Sequence, residues 1–293
     1  MSPLNGRVVL ITGAARGIGA ATARALAARG ARLVLIDVDS SPLEALVAEL
    51  GDEVALGLVA DVRDLAAIED AVATGLERFG TLDVVLANAG IASYGSVAGV
   101  DPEAFRRVLD INVTGVFHTV RAALPALVRS RGYVLVVSSL AAFAPAPGLA
   151  AYNASKAGVE HLANALRLEV AHQGVAVGTA HMSWIDTPLV QDAKQDMSAF
   201  RELVESLPAP LNRTADVDVC VRAFVHGMER RKRRVYAPGW VGAVSAARGL
   251  VASRLGDRAT RDLTPRLLPR MDEEVARLGR STSARYPASG DGR

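Results

Sequence analysis

The chain has 293 residues, half of them apolar and only 4% aromatic, with a formal net charge of +2. That length suits one large α/β domain or two small ones, and a core of Ala, Val and Leu suits a parallel sheet covered on both faces. The single Cys220 excludes an internal disulfide and no charged-then-apolar leader precedes the first strand pattern, so a cytoplasmic compartment is expected.

The first strand pattern, Arg7-Val8-Val9-Leu10-Ile11, runs into Thr12-Gly13-Ala14-Ala15-Arg16-Gly17-Ile18-Gly19. Glycines here permit a tight turn and close backbone approach, and a helix opening at Gly17 offers free N–H groups to a pyrophosphate. Gly13, Arg16, Gly17, Ile18 and Gly19 are therefore expected to hold a dinucleotide. Asp37 ends the second strand pattern (32–37), 18 residues beyond Gly19. A carboxylate there can accept from the adenosine ribose hydroxyls and would repel a 2′-phosphate. Arg16 pulls the other way, but no arginine follows Asp37 in Val38-Asp39-Ser40, so NAD is expected over NADP. Asp61-Val62 closes the third strand pattern (54–60) and Asn88-Ala89-Gly90 the fourth (82–87). Either could be turn chemistry alone, yet both fall at the carboxyl edge beside the nucleotide crevice.

Further strand patterns lie near 133–138, 175–180 and 233–237, and helical ones near 17–30, 41–50, 64–79, 102–130, 152–173 and 215–230. This alternation predicts an α/β fold, a three-layer, Rossmann-like, doubly wound parallel sheet of about seven strands with helices on both faces. One dinucleotide-binding and catalytic domain is expected over residues 1–240. Gly132 to Ser155 carries no charge over 24 residues, long enough to suggest a membrane span. Pro145, Pro147 and three serines interrupt it, and a buried strand followed by an active-site loop accounts for it better.

Ser139 lies in that loop, 13 residues before Tyr152, and Tyr152 lies four before Lys156. Positions i and i+4 share a helix face, so an ammonium can lie beside the phenol and favour the phenolate. Such a phenol can exchange a proton with an alcohol near neutral pH. With a dinucleotide to carry the matching hydride, these residues indicate a nicotinamide-dependent oxidoreductase.

Taken together, Thr12-Gly13-x-x-x-Gly17-Ile18-Gly19, Asp61, Asn88-Ala89-Gly90, Asn112, Ser139 and Tyr152-x-x-x-Lys156 resemble the short, single-domain branch of the short-chain dehydrogenase/reductase family, over residues 5 to about 240. The resemblance implies that Tyr152 is the general acid/base and that Lys156 binds the nicotinamide ribose and lowers the pKa of Tyr152. It also implies that Ser139 donates to the same substrate oxygen, and that Asn112 interrupts its helix and holds a water linking Lys156 to solvent. A homotetramer or homodimer built on the 102–130 helices is implied as well. After the sixth strand the family usually has Pro-Gly, three residues and Thr, whereas this chain has Met182-Ser183-Trp184-Ile185-Asp186-Thr187. Thr187 remains, and Ile185 could still offer its backbone to the nicotinamide carboxamide. Trp184 either walls the pocket or packs under a lid.

Two regions break the rhythm. Residues 184–210 form a candidate substrate lid at the carboxyl edge, with Leu189, Val190, Met197, Phe200, Leu203 and Leu207 apolar. A lipophilic alcohol or ketone, steroid-like or acyl-chain-like, fits that lining. Residues 241–293 form a basic helical extension, with Trp240, Val244, Ala247, Val251 and Leu255 at helical spacing and a second helix through Leu267 to Leu278. The Ser/Pro/Gly-rich end from Ser281 is expected to be disordered. Residues 230–293 hold 15 Lys/Arg against six Asp/Glu, so residues 1–229 are net −7. The tail is a solvated extension, a peripheral contact with an anionic membrane surface, or a partner contact. Nucleic acid is disfavoured, since no aromatics interleave the charges. His118, His161, His172, His181 and His226 show no metal-ligand clustering. The leading reading is an NAD-dependent dehydrogenase of a secondary alcohol, with an NADPH-dependent 3-oxoacyl-type ketoreductase and a non-catalytic dinucleotide-binding regulator as alternatives.

Overall fold

The structure, a computed structural model, describes residues 2–283. Strands and helices alternate as β1 (Val8–Thr12), α1 (Gly17–Ala27), β2 (Arg32–Asp37), α2 (Ser40–Leu50), β3 (Ala55–Val59), α3 (Leu65–Phe79) and β4 (Val84–Ala87). They continue as α4 (Pro102–Leu109), α5 (Gly115–Ser130), β5 (Tyr133–Val137), α6 (Ala150–Val170) and β6 (Ala176–Met182). The chain then forms α7 (Pro188–Asp196), α8 (Ser198–Ser206), α9 (Val217–Glu229), β7 (Arg234–Ala237), α10 (Val241–Ala246), α11 (Arg248–Val251), α12 (Arg258–Arg261) and α13 (Thr264–Leu278).

All seven strands are parallel, in the order β3-β2-β1-β4-β5-β6-β7. β1 is buried at every position, as a central strand covered on both faces must be. Val9 and Ile11 face a core shared with α1, α2 and α9, while Val8 and Leu10 face one shared with α3, α5 and α6. The chain winds outward from β1 to β3 and then returns to place β4 on the other side of β1. The loops after β1 and β4 therefore part at this switch point, opening a crevice at the carboxyl edge.

Helix ends follow local chemistry. Asp64 caps α3 through the N–H of Ala67, and Asp101 caps α4 through those of Glu103 and Ala104, with Pro102 in the first turn.

Within the 102–130 helical stretch the resemblance implies an interruption at Asn112, and Asp110–Thr114 there form a single π turn between α4 and α5. By length and composition this 29-residue stretch could cross a membrane, but its apolar side packs on the sheet as a core helix does. β6 runs on to Met182, two residues beyond the expected end, and pairs with Ala237. The Ser183 N–H reaches the Ala237 carbonyl at 3.0 Å and so closes this end of the β6–β7 ladder. The expected helix from Trp240 to Leu255 is broken into α10 and α11, and α10 seats Val241 against Leu140 and Phe143. At the end of the described chain, Ser281, Thr282 and Ser283 are buried, and Thr282 bridges to Ser93. The rest of the segment expected to be disordered lies outside the described residues.

Candidate active site

A groove of about 220 Å³ runs along the carboxyl edge of the sheet, from the loop after β1 to the start of α7. Its wall includes Gly13, Arg16, Gly17, Ile18, Asp37, Asp61, Val62, Asn88, Ala89, Gly90, Tyr152, Lys156, Ile185 and Thr187. The turn after β1 needs its glycines. Gly13 and Gly17 adopt φ of +66° and +53°, and a Cβ on Gly13 would lie 2.8 Å from the Cα of Ala89. The first turn of α1 carries no acidic residue, and Arg16 makes no side-chain cap, so its N–H groups remain available to an anion. These features fit a pyrophosphate.

At the adenosine end, Asp37 is held by its neighbours. One carboxylate oxygen accepts from the Ala15 N–H at 2.9 Å and the other from the Asp39 N–H at 3.1 Å. Arg16 pairs with Asp39, its Nε lying 3.2 Å from that carboxylate. Burial pushes the Asp61 carboxyl up, but hydrogen bonds from the Arg63 side chain and backbone outweigh this and hold it below the usual carboxylate value. Asn88 spends its amide on structure, donating to the carbonyls of Thr12 and Gly13, both at 3.0 Å, so it ties the end of β4 to the end of β1.

Gly19, Asn112 and Ser139 do not line the groove. Gly19 lies under the turn, where a Cβ would meet the Gly13 carbonyl. Asn112 sits in the π turn, fully buried. Its Oδ1 accepts from the Ile91 N–H at 2.8 Å, and its Nδ2 donates to the Ile91 carbonyl and the Ser155 hydroxyl, both at 2.9 Å. Asn112 thus pins the loop after β4 to α6. Ser139 lies just past β5, with Oγ accepting from the Ala141 N–H at 3.1 Å and donating to the Met182 carbonyl at a long 3.4 Å. Ser138 instead donates to the backbone carbonyl of Lys156.

Tyr152 and Lys156 share a face of α6, and the ammonium lies 5.5 Å from the centre of the phenol ring. Its Nζ donates to the Val137 carbonyl at 3.0 Å. The expected depression of the phenol is not seen. Burial pushes Tyr152 above its ordinary value, opposed by a hydrogen bond with Ser139. The same burial lowers Lys156 to about 8, because the interior penalises a charge that only a neutral carbonyl solvates. Desolvation, which spacing alone does not reveal, outweighs the attraction that it does.

Trp184 lies under the lid, edge-on to Phe200 at 5.6 Å. Sequence reasoning missed Arg63, Arg107 and Ile111 in the groove wall, whereas the lid candidate Leu189 does line it. Arg107 is notable because its Nε and Nη1 are buried without a hydrogen-bond partner. Its only signal in the sequence is the Arg106-Arg107 pair, since two adjacent residues cannot share one helix face.

A model of a known family, described as short chain dehydrogenase, matches residues 7–198. A (-)-trans-carveol dehydrogenase of Rhodococcus erythropolis is 33% identical over 249 residues, covering 74% of this chain and 90% of that protein. A trans-4-hydroxycyclohexanecarboxylate dehydrogenase of Sinomonas cyclohexanicum is 36% identical over 197 residues, covering 64% of this chain and 76% of its own. The crystal structure of a 3-ketoacyl-(acyl-carrier-protein) reductase from Brucella melitensis complexed with NADH superposes with a TM-score of 0.69 at 32% identity, over 77% of this chain and 91% of that one.

Proposed function

The chain belongs to the short-chain dehydrogenase/reductase family of oxidoreductases, and from that premise we propose that it is an NAD(H)-dependent dehydrogenase of secondary alcohols carried on an apolar ring. The observation that carries this reading is the pairing of Tyr152 and Lys156 at one end of a groove whose other end presents Asp37, with Ser139 behind the wall within hydrogen-bond reach of the phenol. The carveol and hydroxycyclohexanecarboxylate relatives favour a cyclic alcohol. The buried lid residues Met197, Phe200 and Leu203 suit an apolar ring.

When bound, the nicotinamide supplies or accepts the hydride at the carbon. Tyr152 transfers the proton at the substrate oxygen, and Ser139 releases its long bond to Met182 to donate to that oxygen. Lys156 binds the nicotinamide ribose, and its charge favours the phenolate once ribose hydroxyls help solvate it. Asn112 retains acceptor capacity on Oδ1 for a water leading toward Lys156. Asp37 accepts from the adenosine ribose and repels a 2′-phosphate. The likeness to the Brucella reductase keeps a carrier-bound 3-oxoacyl substrate as the second reading. Exposed Phe117 on α5 and Leu168 on α6 support a homo-oligomer through those helices.

The test follows nicotinamide absorbance with cyclohexanol, trans-carveol, trans-4-hydroxycyclohexanecarboxylate and a 3-oxoacyl thioester, with both cofactors. Cyclic alcohols are expected to turn over with NAD, and Tyr152→Phe to lose roughly 10²–10⁴-fold in kcat. Asp37→Ala should raise relative use of NADP by about tenfold or more, as relief of like-charge repulsion predicts. Turnover undiminished in Tyr152→Phe would reject the mechanism. Tight NADH binding without turnover of any probe would favour a regulator.

A further inference from the structure

Behind Ser139 lies a buried polar chain that neither cofactor binding nor hydride transfer accounts for. His181, on β6, is fully buried, and both ring nitrogens are engaged. Nδ1 lies 3.2 Å from the backbone carbonyl of Ser139, and Nε2 lies 3.1 Å from the hydroxyl of Thr179. A carbonyl oxygen can only accept, so the ring proton sits on Nδ1. Nε2 of the neutral ring then accepts, and the Thr179 hydroxyl donates to it. Thr179 in turn accepts from Nη1 of Arg234 on β7. Each bond therefore has one direction, from Arg234 through Thr179 and His181 to Ser139.

The far end is anchored as firmly. Glu160 on α6 is 2% exposed, and its Oε1 forms an ion pair with Arg234 at 3.1 Å and accepts from Arg248 at 3.0 Å. The Arg248 guanidinium lies 4.8 Å over Phe143, whose ring is 5.4 Å from His181, and Tyr236 closes the other side at 5.8 Å. The imidazole is thus enclosed by rings on both sides. Burial lowers its pKa to about 4, which keeps it neutral in the physiological range.

The carbonyl that His181 grips needs such a donor. Ser139 lies beyond the end of β5, and its carbonyl otherwise accepts only the Ala142 N–H of the 3₁₀ turn Leu140–Ala142, at 3.1 Å. Fixing the Ser139–Leu140 peptide plane restrains the start of the turn, whose next peptide carries the Ala141 N–H that donates to the Ser139 Oγ. The hydroxyl proton is then directed out of the turn, toward Met182 or a substrate oxygen. We propose that His181 is a positioning residue for proton transfer, holding the Ser139 turn so that its hydroxyl presents a proton to the substrate. This rests on the reading of Ser139 as the donor to the substrate oxygen.

A double-mutant cycle tests it. With NAD and cyclohexanol as probes, or whichever cyclic alcohol of the panel turns over fastest, His181→Leu should lower kcat about tenfold or more, a typical cost of misplacing a reacting group. The KM for NAD should stay within about twofold, since no nucleotide contact is touched. His181→Asn, whose amide can replace Nδ1–H, should recover most of the rate. In a Ser139→Ala background His181→Leu should cost nothing further; an equal loss there would overturn the proposal. A Ser139→Ala variant with full activity would instead remove the reading of the site beneath it. Thr179→Val repeats the cycle if His181→Leu does not fold. A measurement without substrate uses ¹⁵N-histidine labelling, with His181 assigned by its loss in His181→Asn. Two-bond correlations should show a protonated Nδ1 and a bare Nε2 at neutral pH, and the opposite tautomer would overturn the proposal.

Discussion

Lys156 shows how a single buried cation weighs on stability. Its ammonium is 4% exposed and bonded to one neutral carbonyl, and its pKa falls from 10.5 to about 8. Between pH 8 and 10.5 the unfolded chain holds a proton that the native state does not, so this group makes stability rise with pH across that window. Below pH 8 the native state carries the full penalty, on the order of 3 kcal/mol from the size of the shift. Lys156→Met should therefore unfold at higher urea concentration than wild type at pH 7, by up to about 2–3 kcal/mol after loss of one hydrogen bond, while losing turnover. The gap should close as pH approaches 10; a gap independent of pH would mean that the lysine is not desolvated. Spacing alone made the Tyr152–Lys156 pair legible, and the glycines and Asp37 were legible because strand-end positions limit what they can touch. The depth of burial was not, because it depends on what packs over α6 from elsewhere in the chain.

Among the elements, α13 does most to shape the site without lining the groove. Glu274 accepts from the Ser198 hydroxyl, and from the Ala199 N–H at 3.1 Å, so a residue of the tail supplies the cap that α8 lacks locally. Arg270 and Arg266 reach Glu202 on α8, at 2.6 Å and 2.7 Å. On the body side, Asp272 accepts from the Ser96 N–H at 2.7 Å, and the Ser281 carbonyl from the Tyr94 N–H at 2.8 Å. α8 is thus tied through α13 to the body of the fold. Glu274→Ala should destabilise by about 1–2 kcal/mol, the usual worth of a helix cap. Hydrogen exchange should quicken over 188–206 and stay unchanged in α1; uniform acceleration would argue against a local clamp. Periodicity made the helix through Leu267–Leu278 legible, but not its docking. Glu274 reads as a solvent-facing charge, and its partners lie 75 and 76 residues away. The π turn at Asn112 was implied only by family resemblance, since its apolar spacing matches an unbroken helix.

At the scale of the whole molecule, strand–helix alternation was enough to read a doubly wound sheet, because parallel neighbours leave few allowed connections. The surplus of arginine after residue 230 has a structural destination that composition could not reveal. Arg234 and Arg248 meet Glu160, Arg266 and Arg270 meet Glu202, and Arg280 meets Asp196. These five arginines of the basic tail serve as counterions for an acidic body. Because the groove draws on loops from β1 to β6, a bound dinucleotide should stabilise the whole fold cooperatively. NADH at 100 times its Kd should add about 2.7 kcal/mol. Thermal unfolding should shift upward by several degrees, as about 2–4 °C per kcal/mol applies at this size. No shift in wild type would contradict a dinucleotide groove. Synthesis adds an order in time to this architecture, since the ribosome delivers the chain from its N-terminus. The glycine turn, Asp37 and the Tyr152–Lys156 face of α6 all emerge before α13 is made. A nascent chain therefore holds every residue lining the groove before it holds the α13 residues that clamp α8.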